Sequence, residues 1–120
     1  MHISDLAERA GVTVRAVRYY ESRGLVRPAR AANGYRTYTE QDVAVVREVK
    51  ALLSLGLTAE KTYPFVECLR AGNDRADVCP PALAAYRSRI AELDDRIAEL
   101  TALRGKLAGL LTDAESYRRS

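Results

Sequence analysis

The chain predicts a mainly α-helical fold: a small winged helix-turn-helix head with a β-hairpin wing, followed by a long C-terminal helix. Three observations carry this expectation. Two short helix-forming segments are separated only by Gly11-Val12-Thr13. An arginine-rich stretch with Asn33-Gly34 at its middle follows them, and from Leu83 onward apolar residues recur every three or four positions.

Taken in order, the first helix is expected to start at Ser4 as N-cap and run through Leu6, Ala7 and Ala10 to Gly11, a good helix terminator. The second starts after Thr13 as N-cap and reaches about Ser22, with Gly24 closing it. Two short helices joined by so tight a Gly-containing turn are the signature of a helix-turn-helix. Residues 25–38 read as a hairpin wing. Leu25-Val26 opens one strand, Asn33-Gly34 makes the turn, and Tyr35 to Tyr38 return, with Arg36 and Tyr38 on one face and Tyr35 and Thr37 on the other. Thr39 caps a third helix, with Asp42 three residues on, and Val45, Val46, Val49, Leu52 and Leu53 form its apolar stripe up to Gly56. Thr58 opens a fourth, which Pro64 should break near Tyr63. Phe65, Val66 and Leu69 belong to the core, and Ala71-Gly72-Asn73-Asp74 is a polar loop.

Pro80 suits the first turn of the last helix. Leu83, Tyr86, Ile90, Leu93, Ile97, Leu100, Leu107 and Leu111 make a seam of coiled-coil spacing, interrupted only by Arg104. One such helix cannot bury its own stripe, so the reading is a homodimer. The expected organisation is a head over 1–71, a connecting loop over 72–79, a coiled-coil helix over 80–112 and a tail over 113–120.

Composition bounds the function. Hydrophobic residues make up 48% of the chain, but with one Phe and no Trp the core is modest. No apolar run is long enough to span a membrane and the start lacks a signal pattern. A soluble, cytoplasmic protein with no membrane partner is expected. Residues 1–38 hold seven arginines against three acidic residues, whereas residues 39–79 hold five basic and seven acidic, and residues 80–120 seven and six. The positive field is thus N-terminal and made of arginine, which suits an anionic partner. Arg15, Arg18, Tyr19 and Ser22 share one helix face opposite Val14 and Val17, an arrangement that fits the major groove of double-stranded DNA. Arg27, Arg30 and Arg36 would let the wing grip phosphates. Nothing pairs a nucleophile with a base, cradles a phosphate on glycines or sets two carboxylates in a cleft, so an enzyme is not expected.

With these residues the sequence resembles the MerR family of bacterial transcription regulators, and the resemblance covers essentially the whole chain. Its carriers are Ile3-Ser4-Asp5-Leu6-Ala7, Gly11-Val12-Thr13, the string from Val14 to Glu21 with Arg18-Tyr19-Tyr20-Glu21, Gly24-Leu25-Val26, and Asn33-Gly34-Tyr35-Arg36-Thr37-Tyr38. The resemblance implies an antiparallel coiled-coil homodimer on a pseudo-palindromic promoter element. It also implies a distorted spacer that brings the polymerase-contacting boxes into line, so that RNA polymerase is a partner only through the promoter. It makes Thr13, Arg15, Arg18 and Tyr19 recognition-helix contacts, Tyr20 a support that reaches a phosphate, and Arg36 and Tyr38 wing contacts.

The effector is not legible. The resemblance places a metal-binding residue at Cys79, but residues 101–120 contain no Cys or His, and one thiolate cannot close a zinc or copper(I) site. No metal and no cofactor are expected, and His2 reads as a surface residue. Cys68 and Cys79 read first as small buried hydrophobes, with a thiol switch as the alternative because Cys79 lies at a helix start and Cys68 could approach it across the Gly72 loop. No appended ligand-binding domain is expected. Two other functions stay open: an architectural or excision-type winged-helix DNA binder without an inducer, and a coiled-coil adaptor for another protein.

Overall fold

The computed structural model describes all residues from Met1 to Ser120. In chain order it contains α1 (Ile3–Ala10), α2 (Val14–Ser22), β1 (Ala29–Arg30), β2 (Arg36–Thr37), α3 (Glu40–Ser54), a 3-10 turn (Glu60–Thr62), α4 (Tyr63–Arg70) and α5 (Pro80–Arg119). Two compact units result, residues 1–85 and residues 86–120.

The first unit is built on α1, α2 and α3. Gly11 and Gly24 end α1 and α2 at φ of +72° and +75°, the left-handed conformation that only glycine adopts without a Cβ penalty. Each ending is doubly hydrogen-bonded. Gly24 N–H donates to the Glu21 carbonyl and Leu25 N–H to the Tyr20 carbonyl, both at 2.9 Å, and Gly11 with Val12 repeats the pattern on Glu8 and Ala7. The chain is thereby turned so that Leu6, Val17, Leu25, Val26, Val43, Val46 and Val49 meet in one buried cluster. Phe65 and Val66 of α4 are fully buried as well.

Several expectations are corrected here. The first helix does not begin at Ser4. His2 is its N-cap, because its own backbone N–H is held by the Asp5 carboxylate at 3.0 Å. Leu25 and Val26 are core residues and not a strand. The N–H of Leu25 already serves the end of α2, and its carbonyl accepts from Arg70 Nη2 at 2.6 Å, so nothing remains for a ladder. The paired wing shrinks to two residues a side, Ala29 opposite Thr37 and Arg30 opposite Arg36. Pro64 breaks the helix as expected, by standing in the first turn of α4 after the 3-10 turn. Thr39 and Asp42 close a reciprocal capping box on α3.

Helix α5 runs on to Arg119, through the segment expected to be a tail. In the second unit the seam lies open: Ile90, Ile97 and Leu107 are 57%, 61% and 68% exposed. No helix of the chain is long and apolar enough to cross a membrane.

Candidate nucleic-acid interface

The exposed face of α2 is prepared locally. The Thr13 hydroxyl accepts from the Ala16 N–H at 3.0 Å, which fixes the first turn. Val17 and Tyr20 are buried and anchor the opposite face. Tyr20 meets the ring of Tyr19 edge-on, with centroids 6.1 Å apart, and burial raises the Tyr20 phenol above its ordinary range. Arg15, Arg18, Tyr19 and Ser22 are left pointing outward. Arg23 stacks over Tyr19, 5.7 Å from the ring centroid.

Which guanidinium groups are available matters more than their number. Arg9 forks onto Glu40, Arg27 faces Glu67 at 3.7 Å and Arg36 faces Glu21 at 3.1 Å. Arg15 and Arg18 have no side-chain partner. Arg30 donates only to the Gly34 carbonyl, at 3.0 Å.

The wing is fastened to α2 by one carboxylate. Glu21 accepts from Arg36 Nη1 on one oxygen and from the Tyr38 phenol on the other. Burial, and then the bond and charge of Glu21, push the Tyr38 phenol up to about 12. Tyr38 is 4% exposed, so it braces the wing from beneath. Arg36 and Tyr38 thus do share a face, but that face turns toward α2.

Between α2 and the wing lies a cavity of about 350 Å³, walled by His2, Arg18, Arg30, Gly34, Tyr35 and Arg36 among others, with no carboxylate in its lining. Arg30 and Arg36 stand directly opposite each other in the hairpin. Like charges in that position destabilise a β-ribbon, and such a local conflict is expected where a ligand relieves it. Guanidinium groups match phosphate and guanine edges through paired N–H donors. The cavity is therefore suited to a phosphodiester, and the open α2 face beside it to base edges. Sequence reasoning counted Arg30 among the phosphate-gripping arginines of the wing without pairing it with Arg36, and it set His2 aside. The register across the Asn33-Gly34 turn was the available signal for Arg30.

Cys68 and Cys79 lie outside this site and are joined in a disulfide, with Cα atoms 5.9 Å apart. Their first reading as small buried hydrophobes is corrected, and the alternative approach across the Gly72 loop holds: the turn there returns the chain to the end of α4. No three His, Cys, Asp or Glu side chains converge as a metal site would require.

This head, a helix-turn-helix with an arginine-edged wing, defines a DNA-binding transcription regulator. The match to the MerR HTH family regulatory protein model extends over residues 1–62, and the chain belongs to that family. It is 36% identical over 111 residues to the HTH-type transcriptional regulator HmrR of Rhizobium leguminosarum bv. viciae, covering 92% of this chain and 84% of that protein. It is 33% identical to the transcriptional regulator CueR of Salmonella typhi, covering 92% and 78%. Among solved structures it resembles the transcription regulator PbrR691 from Ralstonia metallidurans CH34, solved in complex with lead(II). That match has a TM-score of 0.69 and 28% identity, covering 92% of this chain and 84% of the other. A fold likeness with TM-score 0.58, 24% identity and coverage of 84% and 75% links it to HiNmlR, a MerR family regulator lacking the sensor domain, solved bound to promoter DNA.

Proposed function

We propose that two copies of this chain pair through the α5 seam and bind a pseudo-palindromic promoter element, controlling transcription by distorting the DNA between the half-sites. The observation that carries this reading is the unpartnered Arg15–Arg18 face of α2 beside a carboxylate-free cavity walled by Arg18, Arg30 and Arg36. In it, Thr13, Arg15, Arg18 and Tyr19 meet the major groove, and Arg30 and Arg36 hold a flanking phosphate. Tyr20 and Tyr38, both buried, set the height and angle of those contacts from below. HmrR and CueR being transcriptional regulators supports the reading, as does the promoter complex of HiNmlR.

Pairing places two heads on one molecule, and a two-fold protein calls for a two-fold site. Distortion follows if the heads are set closer than the relaxed half-sites, because engaging both half-sites at once then offsets the deformation energy of the spacer. RNA polymerase senses the protein through the promoter alone in this scheme.

Nuclease protection on the promoter of the protein's own gene tests it. One symmetric protected site between the promoter boxes, with enhanced cleavage at its centre, is the expected result. Tandem protected sites spreading along the DNA would instead indicate an architectural binder, and binding to DNA insensitive to salt would contradict the arginine contacts.

A further inference from the structure

Cys68 belongs to the last turns of α4 and Cys79 directly precedes α5, so their disulfide closes the loop joining the two helices. We propose that this pair is a reversible dithiol–disulfide switch that makes DNA affinity responsive to the surrounding thiol poise; the link to affinity rests on the DNA-binding function proposed above.

The surroundings of the two sulfurs suit the opened pair as well as the bonded one. Cys68 Sγ lies 3.5 Å from the Arg75 carbonyl oxygen, an acceptor that a disulfide sulfur cannot use and an S–H can. Asn73 Nδ2 donates to Cys79 Sγ at 3.4 Å and to the Cys68 carbonyl at 2.9 Å. Cys79 also stands at the N-terminus of a 40-residue helix, where the helix dipole favours a negative sulfur. One site is thus ready for a thiol and the other for a thiolate. Because Asn73 ties both ends of the loop without using the S–S bond, opening the bond leaves the two sulfurs within reach of each other.

Access is unequal in the same sense. Cys68 is 2% exposed, whereas Cys79 is only partly buried. A largely apolar cavity of about 400 Å³ opens onto both, lined also by Tyr63, Pro64, Glu67 and Pro81. A low-molecular-weight thiol entering there bonds its sulfur to Cys79 Sγ. The Sγ–Sγ bond breaks with its electron pair on Cys68, which takes up a proton. A second thiol then displaces the mixed disulfide and leaves as half of a small-molecule disulfide, while Cys79 departs as thiolate. Oxidation by the small-molecule disulfide runs the same steps in reverse. Residues 71–79 form the covalent link between α4 and α5, and in this proposal their stiffness sets how readily two heads accept the spacing of two half-sites.

The test equilibrates the full chain in glutathione buffers of graded ratio, then traps thiols by alkylation for mass spectrometry and measures operator affinity in parallel. We expect full, reversible interconversion with unchanged helical circular dichroism, and operator affinities of the two forms that differ about fivefold or more. In Cys68→Ala, glutathione should add to Cys79, and the affinity should no longer follow the buffer. Cys79→Ser should show neither adduct nor response, and the wild-type measurements stand whether or not either variant folds. A pair that exchanges only in denaturant, or that stays reduced in oxidised glutathione, overturns the switch. Complete cycling with affinity constant within about twofold overturns the coupling alone. Absence of operator binding in both forms overturns the proposed function and the coupling together, while the trapped thiols still report on the exchange.

Discussion

Glu21 illustrates how much of the interface hangs on single residues. Its carboxylate is the common acceptor for the buried Tyr38 phenol and the exposed Arg36 guanidinium. Tyr38→Phe leaves a partly buried carboxylate oxygen short of a donor, a loss worth about 1–3 kcal/mol. Urea unfolding should show that loss, and an unchanged midpoint would remove the bond from the account. The same pair makes an alkaline prediction. The folded phenol, raised to about 12, holds its proton where an unfolded one at 10.0 releases it, so the unfolded state binds fewer protons in that window. Stability from this group is full below pH 10 and lost as pH rises from there through about 12. Ultraviolet titration should find tyrosines ionising late, and Tyr38→Phe should remove one of them while the raised Tyr20 remains. Arg18→Ala should weaken specific binding by about 1–3 kcal/mol if it reads a base edge, measured by fluorescence anisotropy. Arg36→Ala should instead weaken specific and random DNA alike and lower the salt slope by about one unit. A loss confined to the operator would make Arg36 a sequence reader.

At the scale of elements, the helices owe their ends to side chains and glycines, and the wing owes its position to contacts with other elements. Only two residues on each strand pair, fewer than a free hairpin needs to be stable. What keeps it in place is Tyr38, whose N–H donates to the Met1 carbonyl at 3.0 Å while its phenol reaches Glu21. The long helix poses the opposite problem, with Leu93, Ile97 and Leu100 all more than 40% exposed. Burying one such side chain stabilises by roughly 1.5–3 kcal/mol, so several on each of two helices can outweigh the entropy lost on association. A lysine in the seam must be desolvated without a partner, at a cost of several kcal/mol. Leu93→Lys with Ile97→Lys should therefore sediment as a monomer. Arg104, a natural charge in the seam, reaches solvent along its own stem, and a double variant that still sediments as a dimer would place the interface elsewhere.

For the whole molecule, the proposed pairing would make dimer formation and DNA binding one property. A single head meets one half-site, whereas two heads on one dimer make the second contact intramolecular, which is worth about 10²–10⁴ in affinity. The seam variant should accordingly lose its preference for the full palindrome and bind an isolated half-site as the wild-type head does. Gel-shift titrations on full and half operators separate the two effects. Equal loss on both would mean that the lysines had damaged the head.

The order of elements, the caps at Thr13 and Thr39, the break at Pro64, the outward face of α2 and the long α5 with its apolar repeat were all legible in the amino-acid sequence. Each depends on spacing within one segment, through helical periodicity or the chemistry of a single turn, and neighbouring residues in the chain carry that information. Three features were decided only when distant segments met. Leu25 and Val26 have the look of a strand, but Arg70, 45 residues away, takes the carbonyl that a strand would have used. Tyr38 alternates like a surface contact, yet it is drawn inward by a carboxylate 17 residues earlier. Cys68 and Cys79 read first as apolar filling, with an approach across the Gly72 loop as the alternative, and it is the packing of that loop that brings them together. Local pattern sets which face a residue occupies on its own element; where that face points depends on long-range packing and on which backbone groups other segments have already satisfied.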